Sequence, residues 1–340
     1  PEIHLPLLSR KGAAQVPKGL PSLRQRADHA LPPGARPPPR CAEGLHFAPG
    51  FRPGTLPRMT AAARNILLGL ALGMVAALTW GGQAVVARSG TVAGYSPLDL
   101  AALRYLAAGA VLAPFAWRAR RQLAVIGLPR LLALSATGGA ANALLFGWGV
   151  TYAPASHAGT IAPITSAVMG VLLAVPLLGE WPTRGRLAAL GVMVAGVLLI
   201  GWDGIGGAHP GAWRGDLILL LAGASWGCFT VLLRRWRVPA LAGNAALCCL
   251  SALVLLPPWL ALGLGAVPAQ PWQSSATQAL LQGVLASAVA TTLYARAAEL
   301  MGATRAACLT TMVPVMSLVL AAAVLAEPLG AAKLAGVALA

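Results

Sequence analysis

The residues of this sequence with chemistry to offer are mostly uncharged, and their spacing suits holding a solute rather than breaking a bond. Trp80 and Gln83 stand three apart, and Trp226 and Thr230 stand four apart, so on a helix each pair shares one face. Asn142, Trp148, Thr151 and Tyr152 make a second set, with Trp148 and Tyr152 one helical turn apart. Thr291, Thr292, Tyr294, Arg296 and Glu299 make a third. A pocket for a small amphipathic solute needs an aromatic wall and a few converging polar groups, and these sets supply both. A glutamine in an apolar run is costly unless hydrogen-bonded, so Gln83 is expected to face a cavity or another helix. Trp80 and Trp226 either touch solute or pack between neighbouring helices. Asn142 is equally a site residue or interhelical glue, and Tyr152 a site residue or an interfacial anchor.

The ionisable residues divide in the same way. Arg104 sits inside an apolar run, where a central arginine costs roughly 2.5–3.5 kcal/mol on insertion scales. It pairs with the carboxylate of a solute, takes a structural partner, or snorkels to the surface. Ser96-Pro97-Leu98-Asp99 before it reads as a helix start, with serine at the cap, proline in the first turn and Asp99 facing back. Glu180 and Glu327 fall in turns, where they hold turn amides or helix N-termini, with proton coupling as the other role. His157 reads as a turn residue at the outer edge, with a proton switch as the alternative. Arg296 and Glu299 are spaced for an i,i+3 ion pair. The five cysteines show no metal spacing, and neither a phosphate-binding loop nor a hydrolytic triad is recognisable. No metal, no cofactor and no enzymatic activity are therefore expected.

The elements that must position these residues are membrane helices. Apolar residues make up 57% of the 340, charged residues only 10%, far below the roughly 25% of an ordinary globular domain. Ten apolar segments run at about 66–87, 98–117, 130–152, 157–178, 186–202, 216–234, 241–264, 277–295, 304–326 and 330–340. All but the half-length last one can cross a hydrocarbon core of roughly 30 Å as helices, which satisfy their own backbone groups in lipid. The formal net charge of +16 does not indicate nucleic acid, because most arginines outside the first 58 residues occupy gaps between apolar runs. Thirteen arginines fall on one side (Arg58, Arg64, Arg118, Arg120, Arg121, Arg130, Arg184, Arg186, Arg234, Arg235, Arg237, Arg296, Arg305), against Arg88, Arg214 and Lys333 on the other. This bias predicts cytoplasmic N- and C-termini. Residues 1–58, which hold 12 of the 27 prolines, read as a disordered leader, and Met59 as the expected start of translation.

The segments repeat. At an offset of 147, Val168, Met169, Leu173, Leu178, Glu180 and Leu187 match Val315, Met316, Leu320, Leu325, Glu327 and Leu334. At 146, Trp80-Gly81 and Arg88 match Trp226-Gly227 and Arg234. Five helices is an odd number, so the second copy, 214–340, is expected to enter the membrane inverted relative to the first, 64–205. By the same offset Ala340 matches Met193 in mid-helix, so the last helix is expected to be incomplete here.

Leu78-Thr79-Trp80-Gly81, the run Ser96–Tyr105, and Gly179-Glu180 followed by Leu190-Gly191 resemble the EamA repeat of the drug/metabolite transporter superfamily. The second copy supplies Ser225-Trp226-Gly227, Met312-Val313-Pro314 and Ala326-Glu327-Pro328. Ala167 departs from the pattern where the second copy has Pro314, and Pro163 lies four residues earlier. The resemblance implies an all-α integral membrane protein of ten helices in two inverted repeats, both termini cytoplasmic. It also implies export or exchange of amino acids or other small metabolites. With it goes the expectation of a secondary transporter in a bacterial inner membrane, partnered by lipid and a small solute, with the oligomeric state left open and a monomer among the options. Alternating access would open a shared midplane cavity to either side. A non-transporting membrane scaffold or sensor is the alternative, and predicts no polar residues converging at the midplane.

Overall fold

The structure, a computed structural model, describes residues 60–206 and 209–339. The chain divides into residues 1–57 and 58–340, and only the second unit lies within the described part. The expectations for the leader and for Met59 fall outside it.

Among the described residues, nine helices are long and apolar enough to span a membrane. The first repeat runs α1 (Ala61–Val92), α2 (Pro97–Arg118), α3 (Arg120–Ile126), α4 (Leu128–Gly138), α5 (Ala140–Tyr152), α6 (Ala155–Leu178) and α7 (Arg184–Gly206). The second runs α8 (Trp213–Arg235), α9 (Ala240–Ala261), α10 (Trp272–Gln278), a π-helical stretch at Ala279–Val289, α11 (Ala290–Met301), α12 (Ala303–Thr310), α13 (Met312–Leu325) and the short α14 (Ala331–Leu339). Large apolar side chains such as Leu172, Leu198, Leu221 and Leu253 stand more than half exposed around the bundle, as a lipid-facing surface requires.

Local chemistry fixes the helix starts and stops. Ser96 accepts from the Asp99 amide while Asp99 accepts from the Ser96 amide, a reciprocal capping box with Pro97 at the first position. Gly179 ends α6 in the left-handed conformation, at φ 72°.

The two Trp-Gly helices run antiparallel. Arg88, near the end of α1, donates to the carbonyls of Val150 and Thr151, just before α6 begins. His157, in the first turn of α6, contacts Asp216 in the first turn of α8. The end of α1 therefore lies with the starts of α6 and α8. Each Trp-Gly helix packs on the opposite repeat: α1 on α11 and α13, α8 on α5 and α6. The glycines permit this contact. A Cβ on Gly81 would come within 2.6 Å of the Met316 Cβ, and one on Gly227 within 2.7 Å of the Ser166 carbonyl oxygen.

Both repeats break at the matching place. The third span bends between Gly138 and Gly139, where α4 gives way to α5. Adding 147 to Gly139 gives Ala286, inside the π-helical stretch of the second repeat. Neither irregularity shows in the hydropathy of the sequence. Irregular helix at membrane depth is tolerated where protein covers it, and each break is clasped by the other repeat's Trp-Gly helix. Trp80 donates its indole N–H to the Ala286 carbonyl (3.1 Å), and Ser225 donates to the Thr137 carbonyl (2.6 Å).

Candidate functional site

Around the second break a buried polar chain has formed. The Arg104 guanidinium, brought in by α2, donates Nε–H to the Ser287 hydroxyl at 2.8 Å. Ser287 Oγ donates to the Gln282 carbonyl, and the Ser287 carbonyl accepts from Asn244 on α9. Gln282 donates to Gln278, which donates to the Val86 carbonyl on α1. Arg104 is 7% exposed, so it does not snorkel. Neither of its Nη groups has a hydrogen-bond partner among the described residues. The nearest acidic residue in sequence, Asp99, is fully committed: Ser96, the Trp259 indole and the Ala266 amide all donate to it. Arg104 is thus a largely buried cation with no acidic partner among the described residues, its guanidinium carbon 5.2 Å from the centre of the Tyr105 ring.

Trp80 on α1 and Tyr294 on α11 have ring centroids 5.3 Å apart, and Trp80 bonds to the residue preceding Ser287. Gln83, one turn along from Trp80, is half-buried and makes no side-chain hydrogen bond to a described residue. The space beside Arg104, between Ala87, Phe146 and Gln282, holds about 10 Å³, enough for one water.

The other sequence-derived residues lie elsewhere or are occupied. Asn142 is buried and gives its amide to the Ala222 carbonyl at 2.7 Å, joining α5 to α8. Trp226 packs on Phe229 (5.0 Å), and Thr230 bonds within its own helix to Gly227. Thr292 bonds to Ala288 one turn back and is exposed. Trp148 and Tyr152 are about half exposed. Gln278, Gln282, Ser287 and Asn244 escaped the sequence reading, although polar amides within an apolar run were a signal for them.

The two ends of the bundle differ. At the arginine-rich end Glu180 pairs with Arg234 at 2.5 Å, and Arg235 bonds the Leu177 carbonyl. Glu180 thus holds an arginine rather than a helix start. Its repeat partner Glu327 does the expected work, accepting from the amides of Ala155 and Ser156 and from the Ser156 hydroxyl. Arg296 and Glu299 form their i,i+3 pair, exposed, at 2.6 Å. The opposite end holds a cavity of about 380 Å³ lined in part by Arg88, Tyr152, His209 and Glu327. His157 is not an exposed turn residue: it is 0% exposed in the first turn of α6, because Asp216, 59 residues away, supplies a buried partner at 2.9 Å. Lys333, expected in an outer gap, is likewise buried, with Nζ 4.0 Å from Glu327.

The model of the EamA-like transporter family matches residues 67–202 and again 213–340. No curated protein matches the chain. A protein of known crystal structure aligns over 80% of this chain and 93% of its own, at 23% identity and a TM-score of 0.54, a likeness of fold.

Proposed function

Because this chain belongs to the EamA-like transporter family, we propose that it is an alternating-access carrier for amino acids or similar small metabolites that bear a carboxylate and an apolar group. The observation that carries this reading is the buried Arg104, with Nε–H on Ser287 and two Nη groups left for an anion. Two parallel N–H donors suit a carboxylate. Trp80 and Tyr294 supply the apolar wall, and Gln83 a further donor and acceptor for the solute's polar end. The space of about 10 Å³ beside Arg104 is far below the several hundred Å³ of a solute pocket, so binding requires the repeats to part. The latched arginine-rich end and the open opposite end support alternation between two faces. The arginine bias supports an inner-membrane orientation with that latched end cytoplasmic, and export or exchange is the direction of use that the family implies.

The test is counterflow in proteoliposomes across a panel of amino acids, each paired with its amide, which lacks the carboxylate. Wild type should carry acids in preference to amides. Arg104→Gln should lower apparent affinity for the acids by about 10- to 100-fold, the worth of a charge-assisted hydrogen bond, and leave the amides nearly unaffected. Equal loss for acids and amides would refute the assignment of Arg104 to the carboxylate.

A further inference from the structure

We propose that His157 and Asp216 form a proton-binding site that couples solute movement to a proton gradient, an inference that rests on the carrier reading above. The two residues meet across the interface between the repeats, His157 from α6 and Asp216 from α8. His157 Nδ1 and Asp216 Oδ1 are 2.9 Å apart, with the histidine 0% and the aspartate 6% exposed. The second carboxylate oxygen, Asp216 Oδ2, is buried and has no hydrogen-bond partner among the described residues. An orphaned buried oxygen calls for an explanation; among the described side chains the Asp216 carboxylate is compensated from one side only, by His157.

With one proton beyond neutral imidazole and ionised carboxylate, the pair carries no net charge and suits the dry contact seen. Without that proton it carries a net negative charge, whose burial is costly unless water or a cation reaches it. Three of the neighbouring charges, Glu327, Lys333 and Arg88, are already engaged. Glu327 caps α6 through the Ala155 and Ser156 amides, Lys333 on α14 approaches Glu327, and Arg88 on α1 holds the Val150 and Thr151 carbonyls. The His209 ring lies 6.2 Å from that of His157, Tyr152 ends α5, and Arg214 lies two residues before Asp216. Asp203 belongs to the last turns of α7, and α13 has no titratable residue. Deprotonation is therefore relieved by water from the adjoining cavity, lined by His209 and Glu327, as α8 separates from α6 at this end. The same two helices meet at the other end near the exposed Glu180–Arg234 pair. Proton occupancy thereby biases the movement that alternates access.

The test separates coupling from transport. In proteoliposomes, wild type should accumulate its amino acid when a pH gradient is imposed, by up to about tenfold per pH unit at one proton per solute. Asp216→Asn and His157→Gln should lose that accumulation, with a ratio near one, while retaining counterflow, which needs no gradient. Gradient-driven accumulation equal to wild type in either variant overturns the proposal. A second arm needs no solute: 15N-imidazole NMR of the full chain in nanodiscs over roughly pH 5 to 8.5. The His157 resonance should titrate in wild type, and its midpoint should move in Asp216→Asn; a resonance unchanged across that range overturns the proposal. If no amino acid shows counterflow yet His157 titrates as expected, the substrate reading falls and the proton site stands.

Discussion

Asp99 and Arg104 lie five residues apart on α2, both buried, and the structure uses them in opposite ways. Asp99 accepts from Ser96, the Trp259 indole and the Ala266 amide, so it closes one end of α2 and ties down the turn after α9. Its removal strands buried donors. Asp99→Ala should therefore destabilise the detergent-solubilised protein by about 3–5 kcal/mol, and Asp99→Asn, which keeps one acceptor oxygen, by less. Thermal or denaturant unfolding monitored by circular dichroism measures both; a loss under about 1 kcal/mol for the alanine variant would contradict the staple role. Arg104 makes one side-chain hydrogen bond among the described residues, to Ser287, and in the proposed function its Nη groups are the ones that meet the solute. The helix-start role of Asp99 was legible locally because a capping box is a four-residue pattern. The partners of Arg104 and His157 were not, because Ser287 and Asp216 are 183 and 59 residues distant and nothing in their neighbourhoods marks the pairing.

At the scale of helices, length and hydropathy sufficed to locate the spans, since a membrane admits few ways of satisfying a backbone. The breaks at Gly138–Gly139 and Ala279–Val289 were hidden because an average over an apolar window is blind to hydrogen-bond register. The repeat itself was legible in the Trp-Gly pairs, and the structure gives their glycines a reason. Gly81 and Gly227 sit where each Trp-Gly helix presses on the opposite repeat. Gly81→Val and Gly227→Val should each cost about 1–3 kcal/mol by overpacking, measured in the same unfolding assay. Costs confined to one of the two positions would contradict equivalent roles in the two repeats.

Across the whole molecule, the antiparallel Trp-Gly helices give two ends that are related in sequence but different in state. Glu180 and Arg234 meet at one end; their repeat partners Glu327 and Arg88 line the cavity at the other without bonding each other. An exposed pair contributes only about 0.2–1 kcal/mol, so Glu180→Gln should leave the unfolding midpoint nearly unchanged. The same energy shifts a two-state equilibrium by about 1.4- to fivefold. A cysteine at Thr230, between α6 and α8, should then react about that much faster with a thiol reagent in the Glu180→Gln protein, and an unchanged rate would deny the latch a role in the equilibrium. The most direct measurement of alternating access is to lock that latch. Cysteines replacing Glu180 and Arg234, in a background lacking the five native cysteines, would be bridged by a short bis-maleimide and the protein assayed for amino-acid counterflow. Bridging should abolish counterflow, while the unbridged double variant continues to exchange; undiminished counterflow in the fully bridged protein would contradict a carrier whose halves must part at this end.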